Sequence, residues 1–524
     1  MAASGRTKKS LFNVLTGFFG QIFSFILSFV IRTVFIETLR EEYLGLNGLF
    51  TNILSVLNLT ELGLGTAIVI ELYRTIANKD EEKTRQYLYF YQKAYAIIGV
   101  IILAAGLILT PFLQVFIKDF GSLQGINYRL VFLLYLFNTV FSYFFFAYRE
   151  CIVIANQQEY RYRIITYIFK FLEMILQIIT LFIFKNIYVY LIIPIFLGCV
   201  STIVKGVLCG KWFPFILKKP SGKLSKSEVK ATARNIYSVA LYKFSGTILN
   251  STDNIILSSF IDIIITGRYS NYLIIVSALK TILSKIFNAF TASLGNLNVE
   301  AGEDLEKKYK IFNVLSFLNF WAYGFCAICL YVCFTPFVKI WIGEKFVMNH
   351  LTEAIIAINF LIFGLQETVG LHRGAYGLFY QGRFRPIFTV ILNIGLSILF
   401  VKILPGSYGV VAVLLGTIIS NLLVAWWFDA LIVHKHAFKK SPKKYYITYW
   451  LKFLYVCGFG ALVKYITSLL PLTGFVSFIV NALICLVVFN IPFILLFRKT
   501  NEFTYFMDAV KSILKRKKAS AKKV

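Results

Sequence analysis

Apolar and polar positions alternate along this chain in long blocks rather than residue by residue. Short polar segments separate fourteen stretches that are mainly apolar and long enough to cross a bilayer. Hydrocarbon offers no water to backbone polar groups, so spanning segments are helices or strands of a closed barrel. These stretches lack the two-residue alternation of strands. We therefore predict an all-α integral membrane protein with spans near 11–36, 45–73, 87–110, 128–148, 164–184, 188–209, 236–261, 269–293, 311–335, 352–379, 386–404, 409–431, 448–469 and 474–497.

The charges between the spans predict the orientation. The chain has a net charge of +29, and by our count 36 of its 54 Lys and Arg lie in segments on the same side as the N-terminus. Basic loops are typical of the cytoplasmic side, so we expect both termini in the cytoplasm. Because the basic residues are spread over short loops next to lipid, membrane topology explains the charge better than nucleic-acid binding does.

The sequence does not indicate an enzyme. The segments between spans are too short for a nucleotide-binding domain, and no Walker motif is present, so we expect neither catalysis nor a cofactor. The eight cysteines lie in or beside apolar runs, which is typical of buried packing residues. The four histidines are not at metal-ligand spacing with them, so no metal site is expected. The run 11–36 is too long for a cleaved signal peptide and predicts a retained first helix.

A weak internal repeat divides the chain. "TPFLQVFI" at 110–117 returns as "TPFVKIWI" at 335–342, and "EEYLGLNGLF" at 41–50 has a looser counterpart in "IITGRYSNYL" at 264–273. The offset and the order are conserved between these pairs. We predict two six-helix bundles with pseudo-two-fold symmetry and parallel orientation, an arrangement found in transporters. The predicted domains are a first bundle at 1–209, a basic linker at 210–235, a second bundle at 236–431, an extra helix pair at 432–497 and a basic tail at 498–524.

Small and polar residues form one face on the first span. Gly17, Gly20, Ser24, Ser28 and Arg32 recur there every three or four residues. Close helix packing in lipid explains the glycines but not the arginine. An arginine at the centre of a span costs about 3 kcal/mol on insertion scales. Arg32 therefore either snorkels to the membrane interface or faces a water-filled cavity.

Similar polar faces occur on the second, seventh and eighth spans, which occupy matching places in the two halves. We expect these four faces to line one aqueous cavity between the halves. Cations outnumber acids within the spans, and guanidinium and ammonium groups form charge-assisted bonds with phosphate oxygens, so the ligand is expected to be anionic. The candidate substrate-binding residues are Arg32, Lys243, Lys280, Asn58 and Asn250, and the candidate residues for coupling to H⁺ or Na⁺ are Asp253 and Glu61.

The opening span with Arg32, the following "LREEYLGLNGLFTNILSVLNLTELGLGTAI" and "STDNIILSSFIDIIITGRYSNYLIIV" at 251–276 resemble the polysaccharide flippases of the multidrug/oligosaccharidyl-lipid/polysaccharide (MOP) exporter superfamily. The resemblance covers almost the whole chain. It implies a flippase that moves undecaprenyl-pyrophosphate-linked oligosaccharides across the bacterial inner membrane by alternating access, for surface polysaccharide synthesis of the O-antigen or capsule type. In such flippases an arginine of the first span often belongs to a cationic cavity, and Arg32 occupies that position.

Several alternatives stay open at this stage. A multidrug exporter of the same superfamily would share the fold but bind cations. A flippase for a peptidoglycan-precursor lipid would have a similar role, and a membrane polysaccharide polymerase would need a larger outer loop than the sequence offers. A polymerase is an expected downstream partner, together with membrane lipid. The motifs do not identify the sugar.

Overall fold

The computed structural model describes residues 2–58, 64–118, 123–300, 304–404, 406–508 and 511–512. Within helices, the side chains of residues 2–11, 13–15, 66–67, 230–243, 250, 292, 296 and 298–300 are outside this description. Contacts divide the chain into two compact units, unit 1 at Met1–Ser270 and unit 2 at Asn271–Val524. The division falls inside one helix, α10.

The described part of unit 1 is helical throughout, apart from short turns. Its helices are α1 (Ala2–Thr38), α2 (Glu42–Leu57), α3 (Leu64–Ala77), α4 (Glu81–Leu109), α5 (Tyr128–Phe144), α6 (Glu150–Ala155), α7 (Glu159–Phe184), α8 (Ile187–Trp212), α9 (Lys226–Phe260) and the start of α10 (Ile263–Asn288). Among them α1 packs on α7, α2 packs on α9, and α5 packs on both α4 and α8.

Unit 2 is also helical where it is described. After α10 it contains α11 (Thr291–Glu300), α12 (Leu305–Trp341), α13 (His350–Leu365), α14 (Glu367–Ala375), α15 (Arg385–Ile403), α16 (Gly409–Ser420), α17 (Trp427–Val433), α18 (Lys443–Ser468) and α19 (Gly474–Phe497). Two π-helical segments, Asn421–Trp426 and His434–Phe438, follow α16 and α17. The last pair, α18 and α19, packs on α12, where Phe320, Tyr455, Phe489 and Phe493 form a cluster of aromatic rings.

The prediction of an all-α membrane protein is confirmed, and in the described part of the chain each of the fourteen predicted spans is mainly helical. In the described residues, eleven helices are long and apolar enough to cross a membrane, and a twelfth candidate is the pair Tyr128–Phe144 and Phe146–Ala155, bent by 52°. The described residues of the predicted span 45–73 lie in α2 and α3, on either side of residues 59–63, which are outside the description. The predicted span 236–261 lies in α9, whose lysine, asparagine and aspartate residues lower its hydropathy.

Polar caps fix the helix starts that border the spans. The side chains of Asp80 and Asp304 accept hydrogen bonds from backbone N–H groups in the first turns of α4 and α12. Ser225 and Glu228 form a reciprocal capping box at the start of α9. The first backbone N–H groups of a helix have no partner within the helix, so these side chains determine where each helix begins.

The contacts group α9 with unit 1, because α9 packs on α2 and α3. The domain limits at 209 and 236 were inferred from the repeat and not from packing, so they remain a prediction about the symmetry of the chain. The basic tail at 498–524 is described only in part, and residues 501–508 form a helix directly after α19.

Candidate functional site

The polar face of α1 has two distinct surroundings. Its glycines meet α7: a Cβ added at Gly20 would lie 1.9 Å from Cε2 of Tyr167, so only glycine allows this approach. The hydroxyls of Ser24 and Ser28 bond to carbonyls one turn earlier in α1. Close packing with α7 therefore explains the N-terminal part of the face, as expected for small residues between helices in lipid.

Arg32 lies at the C-terminal part of the same face and is buried, with 8% of its surface exposed. Its guanidinium donates a hydrogen bond to the hydroxyl of Ser270, the last residue of unit 1. Tyr135 of α5 and Tyr190 of α8 lie close enough to interact electrostatically with it, and Phe35 packs edge-on against Tyr190. Arg32 is thus enclosed by protein, with hydroxyl groups around a fixed positive charge.

A close approach of α2 and α10 places Ser270. A Cβ added at Gly45 would lie 2.0 Å from the backbone oxygen of Ile263, and one at Gly267 would lie 2.9 Å from the backbone nitrogen of Gly45. Arg268 and Glu41 form an ion pair at 3.4 Å beside this contact. The two segments in contact are the looser pair of the sequence repeat, 41–50 and 264–273. The repeat therefore coincides with the contact that positions the partner of Arg32.

The other predicted residues of unit 1 are only partly described. Asp253 is buried on α9, near the phenol of Tyr269. Asn58 follows α2 directly, and its side-chain oxygen is buried without a hydrogen-bond partner among the described groups. Glu61 lies outside the described residues, as do the side chains of Lys243 and Asn250. The structure therefore does not test the predicted cluster as a whole.

Lys280 is the predicted site residue that lies in unit 2. It is exposed on α10, and Glu367 of α14 interacts with it electrostatically. One turn further along α10, the Ser284 hydroxyl donates to Glu367 Oε1 at 2.9 Å. A hydroxyl and an ammonium thus both face one carboxylate, and Lys280 is balanced locally by an acid that the site prediction did not include.

Comparisons with known proteins bear on the fold. No family model matches the chain, and no curated protein matches it. Among solved structures, one described as the lipid II flippase MurJ in an inward closed conformation superposes with a TM-score of 0.66 at 16% identity, covering 93% of this chain and 99% of that chain. An inward-facing multidrug resistance MATE family transporter of the MOP superfamily gives 0.59 at 15% identity, covering 78% of this chain and 94% of that one.

A third similar structure is a MOP superfamily transporter from Pyrococcus furiosus, described as having a binding pocket of reverse polarity. It gives a TM-score of 0.51 at 13% identity, covering 83% of this chain and 97% of that one. The chain has the fold of the MOP superfamily transporters. At these identities the likeness concerns the fold alone, so the ligand of this MOP-fold chain has to be argued from its own residues.

Within this MOP fold the structure also shows a buried acid that the sequence analysis missed. Glu353, at the start of α13, is fully buried, and its oxygens accept hydrogen bonds from Thr335 Oγ1 at 2.7 Å and from Tyr272 Oη at 3.4 Å. His350 Nδ1, on an exposed side chain, lies 3.6 Å from Glu353 Oε2. Glu353 is the second residue of the predicted span 352–379, and nothing in the neighbouring sequence indicates that its carboxyl group is buried.

A second missed feature of the MOP-fold chain is a charge cluster in unit 2. Asp429 of α17 accepts hydrogen bonds from Arg373 of α14 and pairs with Arg385 Nη2, at the start of α15, at 3.1 Å. Arg373 and Asp429 were noticeable in the sequence as ionisable residues near span ends. Their pairing was not, because 56 residues separate them.

Proposed function

We propose that the protein is a flippase that carries undecaprenyl-pyrophosphate-linked oligosaccharide repeat units from the cytoplasmic to the outer leaflet of a bacterial inner membrane. It does so by alternating access, without covalent chemistry or a cofactor. The two termini lie in the cytoplasm, as the distribution of basic residues indicates. The MOP fold supports a transporter, and one similar structure is described as a flippase for a lipid.

The observation that carries the proposal is the burial of Arg32 within unit 1. A guanidinium held away from lipid by hydroxyl-bearing side chains is a suitable partner for a pyrophosphate, because it always carries its charge and offers several donors in a plane. A bare pyrophosphate is prohibitively costly in hydrocarbon, so its transfer needs such partners along the way. In this proposal Arg32, Lys243 and Lys280 offset the charge of the headgroup, and Asn58 and Asn250 bind its polar groups.

Two acids within the predicted spans define the energetic part of the proposal. Asp253 and Glu61 remain our candidates for coupling transport to H⁺ or Na⁺. If neither is required, removal of the product by a downstream polymerase would supply the direction. The predicted aqueous cavity lined by the four polar faces also remains part of the proposal.

Direct binding tests the role of Arg32. We expect the purified protein to bind an undecaprenyl-pyrophosphate-linked oligosaccharide, and Arg32→Ala to weaken that binding about 10–150-fold, which corresponds to a charge-assisted hydrogen bond of roughly 1.5–3 kcal/mol. Ser270→Ala removes the hydroxyl partner of Arg32 but keeps the charge, and should bind nearly as the unchanged chain does. Arg129→Ala removes an exposed arginine of α5 and serves as the matched control. Equal affinity of the Arg32→Ala and Arg129→Ala variants would contradict the proposal.

A multidrug cation exporter is the second candidate function. It is favoured by the similarity to a MATE family transporter and by the buried carboxyl group of Glu353. A cation exporter should bind cationic dyes and drugs with an affinity that Glu353→Gln reduces and Arg32→Ala does not. The flippase proposal expects no saturable binding of such cations.

A further inference from the structure

A cavity of about 170 Å³ lies in unit 2 where α12 and α18 begin. Its lining residues include none of the candidate residues for substrate binding or ion coupling. Its walls come from α12, from α18 and from the segment that follows α19. The cavity lies towards the N-terminal end of α18, a membrane-length helix that starts at Lys443, so a lipid headgroup is a ligand within reach.

One wall carries a polar stripe on α18. Lys444, Thr448 and Lys452 all line the cavity and follow one another at intervals of four residues, so they lie on one face of the helix. The Nζ atom of Lys452 donates to the carbonyl oxygen of Ser316 at 3.2 Å and to its hydroxyl at 3.0 Å. An ammonium has three donors. Hydrogen bonds to Ser316 and the Phe320 ring, whose centroid is 5.5 Å from Nζ, hold this ammonium in the cavity wall.

The part of the wall that comes from the segment after α19 carries an acid. Glu502, from the helix at 501–508, lines the cavity and interacts electrostatically with Lys452. That helix is docked on α12 by aromatic contacts, Phe503 with Phe317 at 6.4 Å and Phe506 with Trp321 at 6.3 Å between ring centroids. Packing therefore positions the helix that carries Glu502.

Aromatic rings complete the lining. Tyr309 and Phe312 of α12 and Tyr445 of α18 are among the wall residues. The Tyr445 hydroxyl is buried and has no hydrogen-bond partner among the described groups. Aromatic faces attract cations, so this part of the wall suits a positive group of a ligand.

We propose that this cavity binds a ligand group that carries both a phosphate and a primary ammonium, and that its source is the headgroup of a membrane phospholipid. The phosphate contacts the stripe of Lys444, Thr448 and Lys452, and the ammonium contacts Glu502 and the aromatic rings. A purely anionic headgroup would place negative charge against Glu502, and a purely cationic ligand would face two lysines. A zwitterion of this kind places its negative group at the lysines and its positive group at Glu502. Bound there, it would hold the segment after α19 against α12.

Lipid-dependent thermal unfolding of the detergent-solubilised full chain tests this site. Phosphatidylethanolamine should raise the unfolding temperature at a concentration at least tenfold lower than phosphatidylglycerol, which lacks the ammonium, or phosphatidylcholine, whose ammonium has no N–H donor. Lys452→Gln should weaken the effect of phosphatidylethanolamine at least tenfold. Glu502→Gln should abolish the preference over phosphatidylglycerol. Lys464→Gln, on the same helix but over the Tyr331 ring at 5.2 Å, is the matched control and should behave as the unchanged chain does.

Two additional measurements distinguish the source of the ligand and cover the case in which a variant does not fold. If soluble O-phosphoethanolamine stabilises the protein at the same concentrations as the lipid, the ligand chemistry stands but the source is a soluble metabolite. If Lys452→Gln does not fold, the test uses the order in which the three lipids stabilise the unchanged chain and the Glu502→Gln variant. Equal effects of the three lipids on the unchanged chain, or an unaltered lipid order in Glu502→Gln, would overturn the proposal.

Discussion

The cluster of Asp429 with two arginines offers a sharp test of how charge is held inside unit 2. Asp429 accepts from Arg373 and pairs with Arg385, and the three side chains are only 11–16% exposed. The cluster connects α17 with α14 and with the start of α15. Replacing Asp429 by Asn keeps the shape of the side chain but leaves two neighbouring positive charges without their shared anion.

The expected magnitude follows from this burial. Removing one partner of a buried ion pair costs about 3–5 kcal/mol, and the residual exposure places this cluster near 3 kcal/mol. For a unit of this size, 1 kcal/mol corresponds to roughly 2–4 °C, so we expect Asp429→Asn to lower the unfolding temperature by about 6–12 °C. Arg385→Gln leaves the Arg373–Asp429 pair intact and should cost only about 1 kcal/mol.

The assay is thermal unfolding of the purified protein in detergent, followed for the two single variants and for the double variant Arg385→Gln/Asp429→Asn. Residues in one charge network are coupled by about 0.5–3 kcal/mol, so the double variant should be more stable than the sum of the single effects predicts. Strict additivity, or a loss below 2 °C for Asp429→Asn, would refute the reasoning that the aspartate is needed to balance both arginines.

Three further predictions follow from local geometry. Gly45→Ala should destabilise the protein by about 1–3 kcal/mol in the same unfolding assay, because its Cβ would lie 2.0 Å from the Ile263 backbone oxygen. Gly48→Ala is the control and should be close to neutral, because the nearest neighbour of its Cβ would be 3.7 Å away. Thr335→Val should cost roughly 1–3 kcal/mol, since Glu353 loses its shorter hydroxyl donor, and a neutral result would show that the bond contributes nothing. Hydrogen bonds from Lys83 and Ser225 lower the pKa of Glu228 to about 2, so its contribution to stability is complete above about pH 4.5 and declines as the pH falls towards 2. Glu228→Gln should therefore lose less stability than the unchanged chain when the pH is lowered from 5 to 3, and parallel losses would contradict this.

The helices could be predicted from the sequence because the hydrophobic blocks leave little choice of structure in lipid. Where the structure describes them, all fourteen predicted spans are mainly helical, and the block at 45–73 contains parts of α2 and α3. A hydropathy block does not show where a helix breaks. The end of α2 at Leu57 and the start of α3 at Leu64 are not visible in an average over twenty residues.

The candidate site was predictable in part. The isolation of Arg32 in an apolar span identified a buried charge, and the structure places it inside unit 1. Its contact with Ser270 was not predictable, because 238 residues separate the two. The same holds for Glu353, whose hydroxyl partners Tyr272 and Thr335 come from two other helices. Sequence patterns indicate which residues need a partner, whereas tertiary packing decides which partner they find.

The measurement that tests the central proposal most directly is the rate at which lipid-linked oligosaccharide reaches the outer leaflet of vesicles containing the purified protein. We predict that the Arg32→Ala variant, inserted at the same level as the unchanged chain, loses at least nine tenths of this rate, while the Arg129→Ala control retains it. A normal rate for Arg32→Ala would contradict the proposal that this guanidinium binds the pyrophosphate during its crossing.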